Sequence, residues 1–526
     1  MHGEKQVIHQ RGDVIMQQGV LPFQYEIEGS PSGMTALAGL PAFLDLTAVS
    51  GLRESIGRHV QVRGGSRGQG WTDAQQVMAL VLMNLAGGDC VDDLRTLSKD
   101  EGFCRVLMRT ELAGLPRRER RETERRWRRE KRRAVPSPSA VFRYLGEFHD
   151  PEQERARHAE GAPEAFIPAP NEALQGLALV NRDLLAFDAA QGVDETATLD
   201  LDATLIYTEK ETAQYCYKHR PAYQPLNVYW AEQQTMLHTE FRDGNVPAGH
   251  QQLRVFQEAL RYLPSQVKRV RTRSDTAGYQ HEFLRYCEQG EDPRFGRIEF
   301  AVSCDVTPAF KQAVSEVPEG EWRPMHRLVG GQRVKTGVEW AEVCFVPNAI
   351  GHSKKGPEYR YLAIREVLAE QEIPGIAPQR ELPFPSMTLG GRSYKLFGIV
   401  TNMDWEGERL IAWQHERCGK SEEAHAVLKN DLAGGHVPSH LFGANAAWWR
   451  IVVIAFNLLS IMKRRVLGHG WVEKRLKAIR YSLIHLSGRV LERARRLIVR
   501  LAESPMAEML LEVRRRILCL ARVSTA

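Results

Sequence analysis

The chain has 526 residues, of which 43% are hydrophobic and 26% are charged. Its length suggests three or four domains, and its composition excludes a chain that is mostly disordered. Eight cysteines are scattered without a Cys-x-x-Cys pair, which argues against a structural zinc site and indicates a reducing compartment. These cysteines are predicted to be small buried residues.

The N-terminus lacks the basic end and apolar core of a signal peptide. The most apolar run, IVVIAFNLLSIM at 451–462, is shorter than a bilayer-spanning helix and predicts a buried helix instead. We therefore expect a cytoplasmic protein without a membrane partner.

The first third of the chain is predicted to be helical. Apolar residues recur at three- and four-residue spacing over 35–110, with Thr72 and Ser98 as candidate helix caps. An arginine-rich arm follows at 117–133, and Ser139 is a candidate cap for the next helix. The segment 151–172, rich in Pro, Ala and Glu, predicts a surface connector.

The arginine-rich arm carries eleven Arg or Lys against four Glu, a larger surplus than the net +6 of the whole chain. A solvated helix with Glu–Arg pairs at helical spacing explains such a run equally well on its own. A second basic region extends from 463 to 500. Two such regions favour a polyanionic partner, because Lys and Arg displace counterions from phosphates.

From about 195 the pattern changes to alternating strands and helices. Strands are predicted at 196–207, 226–231, 235–242, 267–275 and 297–306, with helices at 248–264 and 277–290. The elements follow one another as three strands that can pair antiparallel, a helix, a strand, a helix and a strand. This is the element order of an RNase H-like core. Residues 307–410 predict a β-rich insertion, 419–435 a helix closed by glycines, and 437 onward a mostly helical end.

Asp200 and Asp202 lie two residues apart on the first core strand and therefore on one face. Asp-x-Asp-x-Thr opens phosphatases of the haloacid-dehalogenase type, in which the first Asp is the nucleophile. That chemistry needs a later acidic pair, and Asp89 and Asp93 precede the strand instead. The competing interpretation is a metal-dependent nuclease, in which Asp275 ends the fourth strand and Glu422 begins a later helix, with Lys429 two turns on.

Three stretches, LDLDAT, RTRSDTAGY and HERCGKSEEAHAVLK, resemble an insertion-sequence transposase of the DDE class. The similarity is greatest to the insertion-sequence (IS) 1380 family, whose third motif is Tyr-x2-Arg-x3-Glu-x6-Lys, and it extends over roughly 35–500. In this chain Arg417 precedes Glu422 by five positions instead of four, and Gln414 stands where the family has Tyr. Only Glu422, and not Glu423, has the six-residue gap to Lys429.

The resemblance implies that Asp202, Asp275 and Glu422 are the catalytic residues and the ligands of two Mg²⁺ ions, for which Mn²⁺ can substitute. Asp200 is then a structural or supporting residue. The residues expected to contact DNA are Arg417 and Lys429 near the cut, Arg271 and Arg273 before Asp275, and Arg125, Arg128 and Arg129 in the arm. An N-terminal helix cap for Asp275 and a helix-dipole role for Glu422 remain the alternatives.

The fold class expected is α/β, with an RNase H-like core interrupted by a β-rich insertion and flanked by helical domains. Its predicted parts are a DNA-binding and dimerisation domain at 1–115, an arm and connector at 116–195, core segments at 196–306 and 411–465, the insertion at 307–410, and a basic end at 466–526. The implied partners are double-stranded DNA, both transposon ends and target, and a second copy of the chain in a synaptic complex.

The resemblance further implies cut-and-paste transposition through a hairpin intermediate, with an insertion-domain aromatic holding a flipped base. Trp322 and Trp340 are the candidates, and core packing is the alternative for both. Two rival functions remain: a DNA-binding protein derived from a transposase that no longer catalyses, and a nuclease that cuts without strand transfer.

Overall fold

The computed structural model describes residues 33–62, 70–130, 132–159, 165–347, 359–368, 384–494 and 496–524, together with three short strands nearer the N-terminus. Those strands, β1 (His9–Arg11), β2 (Val14–Gln18) and β3 (Gln24–Ile27), form a small antiparallel sheet.

Helices dominate the described chain between 41 and 190, and the helical prediction for 35–110 is confirmed. They are α1 (Pro41–Val49), α2 (Leu52–His59), α3 (Asp73–Ala86), α4 (Leu94–Lys99), α5 (Glu101–Glu111), α6 (Arg117–Glu130), α7 (Pro138–Gly146), α8 (Pro151–Arg157) and α9 (Glu172–Ala190). Thr72 caps α3 through a reciprocal capping box with Gln75, because each side chain bonds the other residue's backbone N–H. The predictions of Ser98 and Ser139 as caps were wrong: Asp100 caps α5 and Ser137 caps α7.

The connector predicted at 151–172 contains helix α8, and that helix has a buried role. Arg157 is buried and its Nη1 donates to both carboxylate oxygens of Asp243, at 2.8 and 2.7 Å. The same nitrogen donates to the carbonyl of Thr212 at 3.1 Å. This buried pair fixes α8 against the loops that follow the first core strand.

A large mixed sheet occupies the centre of the molecule. Its strands are β5 (Thr196–Ala203), β8 (Leu226–Trp230), β9 (Thr235–Glu240), β10 (Arg269–Ser274), β11 (Glu299–Cys304), β12 (Arg323–Val329), β13 (Gln332–Val343), β14 (Arg360–Val367), β15 (Ser386–Leu389) and β16 (Arg392–Thr401). Between β5 and β8 the short strands β6 (Ile206–Tyr207) and β7 (Ala222–Tyr223) pair as a hairpin.

The strand order is β12-β13-β14-β16-β11-β10-β5-β8-β9, with β15 on β16. β5, β10 and β11 run parallel, whereas β8 and β9 are antiparallel additions beside β5. The strands of the β-rich segment continue this sheet, because β16 pairs antiparallel with β11 and β14 pairs with β16. The segment predicted as an insertion therefore shares the hydrogen-bonded sheet with the strands that precede it.

The remaining helices are α10 (Gln252–Tyr262), α11 (His281–Gln289), α12 (Pro308–Ser315), α13 (Gly407–Ala426), α14 (Phe442–Ile461), α15 (His469–Val472), α16 (Leu476–Ile479) and α17 (Pro505–Ser524). Helix α13 begins twelve residues before the predicted Gly419, with Glu406 capping Arg409 N–H. Glu422 therefore lies inside the helix, so the helix-dipole explanation for it does not apply. A π-helical turn, Val427–Asp431, follows α13 directly.

Helix α14 and its π-helical continuation span Phe442–Leu467, and by length and composition alone this one described helix could cross a membrane. Its most apolar 18-residue window is wholly buried, which is equally typical of a core helix. Asn457 anchors it: its Oδ1 accepts from Met236 N–H at 2.7 Å, and its Nδ2 donates to Asn181 Oδ1 at 2.7 Å. The predicted buried helix at 451–462 is confirmed and ties α9 to β9.

The C-terminal part is less helical than predicted. Strands β17 (Gly488–Arg493) and β18 (Arg496–Leu501) form a hairpin that pairs with β4 (Met34–Thr35). The cysteine prediction holds for three of eight residues: Cys216, Cys287 and Cys304 are buried, Cys104 is half-buried and the others are exposed, and all are free thiols.

Candidate active site

Asp202 and Asp275 lie together at one edge of the sheet. Asp202 is near the end of β5, and Asp275 directly follows β10, whose Ser274 is in register with Leu201. Since parallel strands present their carboxyl ends at the same edge, the two carboxylates become neighbours although 73 positions separate β5 from β10. The structure therefore brings together the first two acids that the sequence predicted.

One face of helix α13 covers this pair. Ser421 Oγ donates to Asp202 Oδ2 at 2.9 Å, Arg417 Nη1 lies 3.5 Å from the same oxygen, and His425 Nδ1 lies 3.8 Å from it. Positions 417, 421 and 425 recur every four residues and so share a helix face. One helix thus provides Asp202 with a hydroxyl hydrogen-bond donor and places a guanidinium and an imidazole beside it.

Both carboxylates are disfavoured as anions in the folded chain. Burial raises the pKa of Asp202, against the opposing charge of Arg417. Burial also raises the pKa of Asp275, and the charge of Asp202 adds to that shift while Arg417 opposes it. Two crowded carboxylates with raised pKa values are the donor set that a hard divalent cation stabilises. The residues present therefore fit a cation held between Asp202 and Asp275.

Asp275 also caps the short 3₁₀ turn Thr276–Gly278, accepting from Ala277 N–H at 3.0 Å. The cap that was the alternative role of this acid is therefore real. It occupies only Oδ1, and it fixes the carboxylate at the strand end because the cap holds its rotamer. Capping and proximity to Asp202 coexist in this residue.

A hydrogen-bonded chain supports His425 from behind. Trp449 Nε1 donates to Thr239 Oγ1 at 2.8 Å, and that hydroxyl donates to Asn227 Oδ1 at 2.6 Å. Asn227 Nδ2 in turn lies 3.1 Å from His425 Nε2. An amide nitrogen can only donate, so Nε2 accepts and the proton of the neutral ring is on Nδ1, toward Asp202. Burial lowers the pKa of His425 to about 3, which keeps this ring neutral.

Glu422 is not part of this cluster. It is exposed, one position beyond Ser421, and each residue of an α-helix is turned about 100° from the last. Within the described residues there is no group of three His, Cys, Asp or Glu side chains placed to hold a metal ion. The predicted three-carboxylate site is therefore represented by two acids, with Ser421 at the helix position that faces them.

Asp200 has a structural environment. It is 0% exposed, and its two oxygens accept from Arg273 Nε and Nη2 at 2.6 and 2.8 Å. Arg273 also donates to the carbonyl of Trp413. A buried carboxylate held by both oxygens cannot serve as the nucleophile of a phosphatase, so this arrangement counts against that alternative. The expectation that Arg273 contacts DNA was wrong, because its guanidinium is buried and fully engaged.

The other predicted DNA-contacting residues differ in availability. Arg271 pairs with Glu299 at 2.6 Å and lies over the Trp405 ring, so it too is engaged within the protein. Lys429 is half-buried, and its Nζ donates to Leu205 O at 3.3 Å beside Asp202. The three arginines predicted to contact DNA from helix α6 are all exposed: Arg125, Arg128 and Arg129.

Besides Lys429, Arg417 is a second basic group at the acid pair. It is buried, and its Nε has no hydrogen-bond partner among the described residues. A buried guanidinium with an unused donor costs free energy unless a ligand completes it. The positive charge of Arg417 lies near both acids and lowers the pKa of each against the effect of burial.

Trp322 and Trp340 are both buried and therefore unavailable to a flipped base. Arg365 lies 4.0 Å over the Trp322 ring, and Arg323 lies 5.1 Å over the Trp340 ring. Trp340 packs so closely on Gly407 that a Cβ there would lie 2.2 Å from the ring. Core packing, the alternative role, is what the structure shows for both.

Ser421, His425 and Asn227 are the site residues that the sequence did not predict. Their signal was present only as spacing: Ser421 and His425 follow Arg417 at four-residue intervals, and Asn227 is the cross-strand partner of Asp202. Recognising that signal requires the start of α13 and the strand register, neither of which the sequence fixes to one residue.

Paired carboxylates at a sheet edge, with an arginine and a lysine beside them, have the chemistry to accommodate a cation and a polyanion. The sequence model of a protein family described as transposase DDE domain group 1 matches residues 24–341 and 387–522 of this chain. The chain therefore belongs to the DDE transposase domain family. Domains of this family generally use divalent metal ions. The matched ranges contain Asp202, Asp275, Glu422 and Lys429.

A solved structure with some likeness is a cryo-EM structure of a piggyBac transposase synaptic complex with hairpin DNA. The likeness covers 86% of this chain and 82% of that chain at 11% sequence identity and a TM-score of 0.43. A TM-score this low does not establish a shared fold. No curated protein matches the chain.

Proposed function

We propose that this DDE transposase binds the terminal inverted repeats of an insertion sequence of the IS1380 type and catalyses metal-dependent strand cleavage and strand transfer. The observation that carries the proposal is the pairing of Asp202 and Asp275 at the ends of two parallel strands, under Arg417. Family membership supplies the reaction class, and the acid pair supplies the location.

The central strands support an RNase H-like core. Strands β9, β8 and β5 are antiparallel neighbours, and β10 and β11 add in parallel on the other side of β5. Along the chain, three antiparallel strands followed by two strands that each come after a helix is the element order predicted for such a core. The β-rich segment between β11 and α13 then corresponds to the insertion, and the family model leaves out 342–386 within it.

Asp202 and Asp275 would hold a divalent cation, for which we propose Mg²⁺ with Mn²⁺ as a substitute, two ions being the expectation from the family resemblance. The cation, when bound, supplies charge stabilisation at the reacting phosphate. Glu422 remains the third acid by its spacing to Lys429, and a turn of α13 by one residue would direct it toward the pair.

The protein's own groups perform the remaining tasks. Arg417, whose charge lies beside both acids, would bind a non-bridging oxygen of the phosphate and orient it. Lys429 lies beside Asp202 and would neutralise the adjacent phosphate. Ser421 and neutral His425 hold Asp202 in one rotamer, so that its oxygens stay directed at the sheet edge.

The exposed arginines of α6 would bind DNA outside the site, with affinity that falls as salt rises. We propose double-stranded DNA, both element ends and target, as the partner, and a homodimer as the assembly that synapses two ends. Cut-and-paste chemistry through a hairpin, in a prokaryotic cytoplasm, completes this proposal and rests on the family resemblance.

The test is strand transfer of a pre-nicked element end, using the inverted repeats that flank the gene, with Mg²⁺ or Mn²⁺. Asp202→Asn should reduce transfer by about 100-fold or more, as loss of a group that stabilises a transition state does. The matched control is Asp404→Asn, an exposed acid outside the site, which should be unaffected. Full transfer by Asp202→Asn would refute the proposed site.

The same assay separates the two rival functions. A derived protein that no longer catalyses would bind element ends without cutting or joining them. A nuclease would release the strand but leave the free 3′-hydroxyl unjoined. Glu422→Gln tests the third acid independently, because loss of transfer there would require Glu422 to reach the metal in the DNA complex.

A further inference from the structure

The hairpin loop between β5 and β8, residues 205–223, presents exposed aromatic side chains next to the candidate active site. Tyr215 is 66% exposed and Tyr217 is 69% exposed. Neither was a predicted site residue. Burial of a large aromatic side chain usually stabilises a protein. Two exposed tyrosines at one hairpin tip therefore indicate a ligand-binding surface.

The hairpin is connected to the acid site through its stem. It leaves β5 three residues after Asp202, and Lys429 Nζ donates to the carbonyl of Leu205 at 3.3 Å. Strands β6 and β7 then pair, with Tyr207 opposite Ala222. The stem of the hairpin therefore begins beside Asp202 and Lys429.

The hairpin is held in place by buried groups. Thr212 provides its carbonyl to Arg157 at 3.1 Å and its hydroxyl donates to His440 O at 2.6 Å. Gly244 packs on the inner side, where a Cβ would lie 2.6 Å from Ala222 O and 2.8 Å from Gln214 O. The tyrosines are thus displayed on a fixed support, which lowers the entropic cost of binding.

The tip has the chemistry of a nucleic-acid surface. Between Tyr215 and Arg220 the backbone turns back, with Cys216 N–H donating to Arg220 O at 2.9 Å. The exposed residues between include Lys218 and His219, and no acid interrupts them. Arg220 lies 4.4 Å over the Tyr207 ring, which keeps that guanidinium along the stem. Aromatic faces alternating with cations match the bases and phosphates of a single strand.

We propose that Tyr215 and Tyr217 stack on unpaired DNA bases beside the cleavage site, while Lys218 and Arg220 contact the adjoining phosphates. This inference rests on the proposed function for the source of the strand, since cleavage at an element end exposes unpaired bases. It also replaces Trp322 and Trp340, which are buried, with aromatic side chains that a base can reach.

The experiment measures DNA binding by the full-length protein without divalent metal, so that no strand is cut. The probes are a fluorescein-labelled blunt duplex and the same duplex with a single-stranded tail of about ten nucleotides, a length within single-strand site sizes. Fluorescence anisotropy gives the Kd for each probe. A 2-aminopurine base in the tail reports stacking directly, because stacking quenches its fluorescence.

Tyr215→Ala and Tyr217→Ala should each raise the Kd for the tailed duplex by about 10-fold and leave the blunt duplex within about twofold. Phe at either position should restore both binding and 2-aminopurine quenching, because the ring performs the stacking. The matched control is Tyr481→Ala, since Tyr481 is 86% exposed away from the hairpin. Lys218→Ala should lower the salt dependence by about one phosphate contact.

Equal binding of both probes by the alanine variants and wild type would overturn the inference, while strand transfer by wild type would leave the proposed function intact. Loss of both probes together with conversion of a dimer to monomers in sedimentation would also overturn it, because the tyrosines would then contact a second copy. Tyrosine-dependent tail binding in a protein without strand transfer would support the inference and refute the proposed function.

Discussion

Strand β5 carries two acids, Asp200 and Asp202, that each pair with an arginine. Arg273 on β10 pairs with the first and Arg417 on α13 with the second, and the two pairs differ in geometry. Asp200 and Arg273 are 0% and 3% exposed as side chains and joined by two bonds of 2.6 and 2.8 Å. Asp202 and Arg417 approach only to 3.5 Å, and Asp202 retains 19% exposure. The first pair is complete, whereas in the second Asp202 Oδ2 accepts from Ser421 and the Arg417 Nε has no partner among the described residues.

The difference separates a fully paired acid, Asp200, from an incompletely paired one, Asp202, on the same face of the same strand. A pair that satisfies both partners has no capacity for a ligand, and its value lies in fixing β5 against β10. A loosely paired acid beside another carboxylate is costly to the fold, and such cost is typical of sites completed by a ligand. The comparison predicts a much larger loss of stability when the first pair is broken than when the second is.

The largest expected effect is on stability, from Arg273→Met. Removing this guanidinium leaves Asp200 buried without a partner, which costs about 3–5 kcal/mol. Urea denaturation followed by circular dichroism measures the loss. The corresponding variant at the second pair, Arg417→Met, should cost only about 1 kcal/mol because Asp202 reaches solvent.

The double variant Asp200→Leu/Arg273→Met is the control for this prediction. Replacing both charges by apolar groups should recover most of the stability, because no uncompensated charge is left. Equal losses from Arg273→Met and Arg417→Met would mean that the two pairs are energetically alike, contrary to their geometry.

The next effect is on activity, from His425→Gln. The chain from Trp449 through Thr239 and Asn227 to His425 orients Asp202, so its loss should slow strand transfer by about 10–100-fold, the usual effect of supporting groups around a metal site. His436→Gln, at an exposed histidine just beyond the π turn, is the matched control.

DNA affinity should be unchanged in His425→Gln, and added Mn²⁺ should restore more activity than added Mg²⁺, because Mn²⁺ binds weak oxygen and nitrogen sites more tightly. A merely structural role would lower the melting temperature without altering metal preference. Wild-type transfer with both metals would contradict the positioning role.

The sequence predicts the core strands well and the C-terminal hairpin badly, for a physical reason. The strands from 196 to 304 alternate or cluster apolar residues between clear turn signals, so their period is unambiguous. GRVLERARRLIVRL, in contrast, places Val490, Leu491 and Leu497 at spacings that suit a helix as well as a strand. Pairing of β17 with β4, more than 450 residues earlier in the chain, decides the outcome.

The candidate site shows the same limit at finer scale. Asp202 and Asp275 are predictable because a strand end is marked in the sequence. The residue of α13 that faces these acids is not predictable. Gly419 suggests that the helix begins there, but tertiary packing overrides this signal, and α13 begins at Gly407 against Trp340. A shift of one residue decides whether Ser421 or Glu422 faces the acids.

The smallest effect concerns a third acid, Asp183, which lies between the two extremes of the comparison. It accepts from Ser55 Oγ at 2.7 Å, from Arg182 Nη2 at 2.9 Å, and lies 2.9 Å from His59 Nε2. Burial alone would raise the pKa of Asp183, but these bonds outweigh it and lower the pKa below its ordinary value. The carboxylate is therefore favoured by folding, unlike Asp202.

Because the folded-state pKa of Asp183 is lowered, its stabilising contribution is complete above its ordinary pKa near 3.8 and is lost as the pH falls through the lowered value. Asp183→Asn should cost about 1 kcal/mol at neutral pH, and the difference from wild type should shrink in strongly acidic buffer. Urea denaturation at a series of pH values measures this. A difference that grows on acidification would reverse the sign and place Asp183 with the strained acids instead of the satisfied ones.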